Sequence, residues 1–120
     1  MRFLPAAALL AIAALAGCHS RYIAATVTNN TASPLSPVEV DYPSASFGTN
    51  LLAPGASYSY RFKIIGNGPT AVQWTGADHH DHKSPGPELH EGDEGSLTVT
   101  IGADAQPHWQ LELVNRAAGK

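Results

Sequence analysis

The chain has one cysteine, one methionine and seven basic residues among 120, and each shortage removes a class of structure or function. A single thiol cannot form an intramolecular disulfide, so apolar burial must hold the fold together. The seven Lys and Arg are scattered against ten acids, giving a net charge of −3, so there is no basic patch and nucleic acid is not expected as a partner. The longest apolar run, residues 3–15, falls short of the roughly 18 to 20 residues that span a bilayer as a helix, and Pro5 weakens its start. No later window carries a capped apolar stripe of helical period, so a helical domain is not expected. The sequence also lacks a Gly-x-Ser-x-Gly elbow, a glycine-rich phosphate loop and a His-Glu-x-x-His pair, and it reads as non-catalytic.

What is present begins with an address. Arg2, an apolar core and then small residues have the layout of a secretory signal peptide over residues 1–17. The run stops at Leu15-Ala16-Gly17-Cys18, which resembles the lipobox of bacterial lipoproteins. Small Ala16 and Gly17 suit a peptidase groove, and a thiolate is the nucleophile that can take a lipid. The resemblance covers residues 1–18. It implies that Cys18 is diacylglycerated and becomes the first residue of the mature chain, with residues 18–21 as a short tether. His19 in place of Asp after the cysteine implies sorting to the outer membrane, facing the periplasm. The implied partners are the membrane, reached through lipid on Cys18, and an envelope protein that the sequence does not identify. With Cys18 lipidated and Met1 removed, the thiolate and thioether of a blue-copper site are gone as well.

After the tether the dominant pattern is alternation of apolar and polar residues with period two. It runs through 22–28, 38–42, 57–64, 70–75, 96–101 and 108–113, with a weaker segment over 47–52. Asn29-Asn30-Thr31, Pro43, Pro54-Gly55 and Gly66-Asn67-Gly68-Pro69 supply turn chemistry between them. The last of these reads as a tight hairpin that pairs 57–64 with 70–75 at the centre of a sheet. The expected fold is all-β, an antiparallel β-sandwich of about seven strands over residues 22–115 with a tail over 116–120. In architecture it resembles immunoglobulin and fibronectin type III domains. A small barrel or a transthyretin-like sandwich is also compatible. Tyr58, Tyr60, Phe62, Trp74 and Trp109 sit on the apolar phase and are expected in the core rather than in a sugar-stacking stripe.

Residues 76–95 differ chemically from the rest. They hold four of the six histidines and six of the ten acids. Read as one long loop, they carry two alternatives. Imidazole and carboxylate are ligands for zinc, copper or nickel, so His79, His80, His82 and His90 are candidate metal ligands, with a Pro85-Gly86-Pro87 reversal bringing His90 opposite the others. The same composition also suits a solvated loop that holds no metal. The sequence thus supports a lipid-anchored binding or scaffolding module. The alternatives are a metal-binding lipoprotein using residues 78–91, with a divalent metal as its cofactor, and a small metallohydrolase at that loop. The address is testable directly: Cys18→Ser is expected to release the protein from membranes or to block leader cleavage, and unchanged fractionation and processing would count against lipidation.

Overall fold

The computed structural model describes residues 21–114, and the chain there is all-β. The signal peptide, the lipobox with Cys18 and the 116–120 tail lie outside the described residues. Eight strands follow in order: β1 (Ile23–Asn29), β2 (Val38–Tyr42), β3 (Ala45–Thr49), β4 (Ser57–Phe62), β5 (Gly68–Thr75), β6 (Asp81–Leu89), β7 (Gly95–Ile101) and β8 (Pro107–Leu113). They form two four-stranded sheets, ordered β4-β1-β7-β8 and β3-β2-β5-β6. The one parallel pairing is β1 with β7.

The period-two pattern dictates the sandwich. Ile23, Ala25 and Val27 of β1 and Leu97, Val99 and Ile101 of β7 are buried against Val38, Val40, Val72 and Trp74 of the other sheet. Their alternates Thr26, Thr28, Thr98 and Thr100 face the opposite way and are only partly covered. Each fully buried Val, Leu or Ile contributes on the order of 1.5 to 3 kcal/mol, enough in sum to replace the missing disulfide.

The expected β-sandwich is present, with eight strands where about seven are expected, and β1 and β2 lie in different sheets. Two expectations are corrected. The 57–64 and 70–75 segments are not a central hairpin: β4 pairs with β1 at a sheet edge, and residues 63–67 carry the chain across to β5 in the other sheet. Alternation marks which face of a strand is buried, but it does not choose the strand's neighbour. Here the choice follows from aromatic packing across the layers, with Phe62 stacked on Tyr42 at 3.7 Å between ring centroids.

The second correction concerns residues 76–95, nearly half of which form β6, paired with β5 from Thr75↔Asp81 to Gly68↔Leu89 with a register shift between Ala71 and Pro69. Pro85-Gly86-Pro87 does not reverse the chain. Proline withholds a ladder donor, but β6 is an edge strand, where one side needs none. Gly86 has a packing role, since a Cβ there would lie 2.5 Å from the indole of Trp109. That notch lets Trp109 of β8 close the gap between the sheets on this side. The opposite side is closed by Phe47 of β3 against Tyr58 and Tyr60 of β4, the latter at 5.5 Å. Tyr60 stays 47% exposed, so the expected aromatic core is only partly internal.

One polar side chain is fully buried at the end of β1. The Asn29 amide donates to the carbonyls of Ser33 (2.8 Å) and Leu52 (2.9 Å), and its oxygen accepts from the Thr31 N–H (2.9 Å) and hydroxyl (2.7 Å). Every hydrogen-bonding position on that amide is used. Asn29→Ala strands these partners, and the expected loss is about 2 to 4 kcal/mol in urea unfolding, against under about 0.5 kcal/mol for exposed Asn30→Ala.

Candidate functional site

Because β1 runs parallel to β7 and antiparallel to β4, its first residue Ile23 lies beside Phe62 and Gly95, and its last, Asn29, beside Ile101. The sandwich therefore has a proximal end, where the chain enters from the 18–21 segment, and a distal end about 20 Å further along β1. The β5–β6 and β7–β8 turns both lie at the distal end, together with the 30–35 segment held by Asn29.

Those two turns share a sequence. Gly76-Ala77-Asp78 followed by His82, and Gly102-Ala103-Asp104 followed by His108, repeat the spacing Gly-Ala-Asp-x-x-x-His. The conformation repeats too. In each, the glycine carbonyl accepts from the N–H three residues on (His79 at 3.1 Å, Ala105 at 2.8 Å), and that third residue has positive φ, 62° and 60°. In each, the aspartate accepts from the backbone N–H two residues later, His80 at 3.0 Å and Gln106 at 3.1 Å, and from the imidazole Nε2 four residues later, His82 at 2.8 Å and His108 at 3.1 Å. A self-comparison of the sequence finds this repeat; strand periodicity does not.

The two copies face different ways. His82 pairs with Trp74 in the ladder and so sits on the inward phase, stacked on that indole at 5.1 Å and 18°. His108 pairs with Thr100, on the outer phase of its sheet. Consequently only the first pair looks into a cleft of about 300 Å³. Leu35 and Trp74 form its apolar floor, Ala77, Ala103 and Ala105 its rim, and Thr31, Ser33, Asp78 and His82 its polar groups. An apolar floor with a few convergent polar groups is the general form of a ligand site. A larger concavity of about 520 Å³ along β2 and β3 is polar and brings only Glu39 as a titratable group, so the chemistry lies in the smaller cleft.

The four candidate metal ligands do not converge. His79 and His80 lie exposed in the β5–β6 turn, His82 is engaged by Asp78, and His90 follows β6 at the proximal end, about 25 Å from His82 along the strand. Among the described residues no group of three or more His, Cys, Asp or Glu is arranged to hold a metal. The His82 imidazole donates to the Asp78 carboxylate at 2.8 Å.

Both turn carboxyls titrate below the ordinary 3.8: Asp78 chiefly through the His80 N–H and then His82, Asp104 chiefly through His108 and then the Gln106 N–H. A depressed carboxyl stabilises the fold above its unfolded pKa, and that contribution is lost as pH falls through the lowered value. In Asp78→Asn/Asp104→Asn, the melting-temperature deficit relative to wild type is expected to persist from neutral pH to about pH 5 and to shrink below 3.8. A deficit that is constant down to strongly acid pH would show that these charges do not stabilise the turns.

No family model matches this chain, and neither does a curated protein. Among solved structures it is similar to an NMR structure of a protein from Eubacterium rectale, with a TM-score of 0.54 and 10% identity over 81% of this chain and 94% of that one. At that identity the likeness is one of fold.

Proposed function

We propose that the chain is a lipid-anchored module of a bacterial cell envelope, attached through Cys18 to the outer membrane on its periplasmic side, that binds a partner rather than catalysing a reaction. The observation that carries this reading is the direction of β1. A chain held at Cys18 enters the sandwich at its proximal end, so the Trp74–His82–Asp78 cleft points away from the anchor, where a partner can reach it. The lipobox supports the anchor. An open cleft whose one histidine is turned to a carboxylate supports binding over catalysis. The orders β4-β1-β7-β8 and β3-β2-β5-β6 support a transthyretin-like rather than an immunoglobulin-like sandwich.

The test is site-specific photocrosslinking in intact envelopes. A benzophenone side chain at Ala103, on the distal rim, is expected to give a discrete adduct, and one at Asn67, in the proximal β4–β5 connection, is not. Adducts from Asn67 alone would put the working face beside the membrane and reject this orientation.

A further inference from the structure

We propose that the distal cleft binds a small organic cation, an ammonium group carried on an apolar body; this deepens the binding reading above and rests on it. The argument is one of charge complementarity at a cleft with an apolar floor. The one carboxylate among the lining residues is Asp78. Its carboxylate is kept ionised by the His80 N–H and the His82 imidazole, while the side chain remains 48% exposed. Among the described residues no Lys or Arg lines the cleft: Arg61 pairs with Ala24 near the start of β1, and Lys83 pairs with Gln73 on the outer phase of its sheet.

A carboxylate that shares its cleft with one imidazole and an apolar floor favours a ligand that brings both positive charge and apolar surface. Leu35 and Trp74 take the body, and the Asp78 oxygens accept from the ammonium. The His80 N–H occupies one site on Oδ1 and His82 one on Oδ2, so each oxygen of this half-exposed carboxylate keeps a further acceptor site. An anionic ligand meets the opposite field. The volume of about 300 Å³ admits a single ring with a short side chain.

The repeat at residues 102–108 supplies an internal control, because Asp104 and His108 form the same pair outside the cleft. The experiment uses the full-length chain in detergent micelles and three isosteric probes: phenethylamine, phenethyl alcohol and phenylacetate. Amide shifts of Gly76, Ala77 and Ala103 report occupancy. Phenethylamine is expected to bind saturably, at least tenfold more tightly than the alcohol, with phenylacetate weakest and with affinity falling as salt rises. Asp78→Asn is expected to bring the amine to the affinity of the alcohol, and Asp104→Asn to leave it unchanged. Equal binding of amine and alcohol, or an unaltered amine affinity in Asp78→Asn, overturns the proposal. If the amine fails while the Ala103 adduct persists, cation recognition is wrong and the anchored module stands. If the amine binds but Cys18→Ser does not release the chain from membranes, the cation site stands and the anchor does not.

Discussion

The amide of Asn29 is the constraint on which the distal end depends. A strand that ends inside a sandwich leaves carbonyls facing the core, and an unpaired buried carbonyl is costly. Asn29 answers this with a group small enough to be wholly covered and able to donate twice. One donation reaches Leu52 before β4; the other reaches Ser33 in the β1–β2 segment. The same segment is tied by Ser36 and Pro37 to Thr75 and by Leu35 to Leu52. Leu35 is thereby held as a floor under the cleft instead of collapsing onto solvent. A ligand-binding surface made from a non-strand segment needs such a fixed base, because an irregular backbone has no ladder to hold it.

The two long sides of the sandwich are closed by different means, and this bears on what each edge can do. On the β3–β4 side five aromatic rings, Tyr42, Phe47, Tyr58, Tyr60 and Phe62, overlap across the gap. On the β6–β8 side a single indole enters a notch that exists only because residue 86 has no Cβ. The prolines on either side of that notch remove donors from the β6 edge, which makes it a poor template for a further strand. The Thr70 hydroxyl, buried opposite, donates to the Pro87 carbonyl at 2.7 Å, satisfying an acceptor that the shifted pairing around residue 70 leaves out of the ladder. A stretch that looks unsuited to a strand is in this way matched, residue by residue, to one edge position.

Much of the fold is legible in the sequence, and the illegible parts have physical causes. Alternation identifies β1, β2, β4, β5, β7 and β8 because each buries one face and wets the other, and period two records that difference. It cannot report which strand lies alongside, so the sequence-adjacent segments 57–64 and 70–75 read as a hairpin although the chain between them changes sheets. Strand β6 is hidden because its inward positions His82, Ser84 and Gly86 are not apolar and only Leu89, at its end beyond the register shift, is; burial between is supplied by Trp74 and Trp109 reaching from other strands. At the candidate cleft, the concentration of histidines and acids includes Asp78 and His82, yet it groups residues that β6 separates, His82 at one end of that strand and His90 beyond the other. The signal that does identify the site, the second Gly-Ala-Asp-x-x-x-His, lies outside that region and emerges only when the chain is compared with itself.

The two copies of that turn also separate what fixes a loop from what makes a site. Each aspartate satisfies a backbone N–H and steers an imidazole, so the pairing by itself is a device for closing a five-residue connection between strands. It forms whether or not anything is bound, as the outward-facing copy at 102–108 illustrates. The copies differ by one step of strand phase. Thr75, which enters the first turn, lies on the outer phase, while Ile101, which enters the second, is buried. Since successive side chains alternate between faces, that single step turns one His–Asp pair onto Trp74 and into the cleft and the other onto the outer sheet surface. A shift of one residue in the register of β5 with β6 would turn His82 off Trp74 and onto the outer face without altering a single side chain. The chemistry presented at the distal end is therefore set by ladder register, which the buried Val72 and Trp74 hold in place.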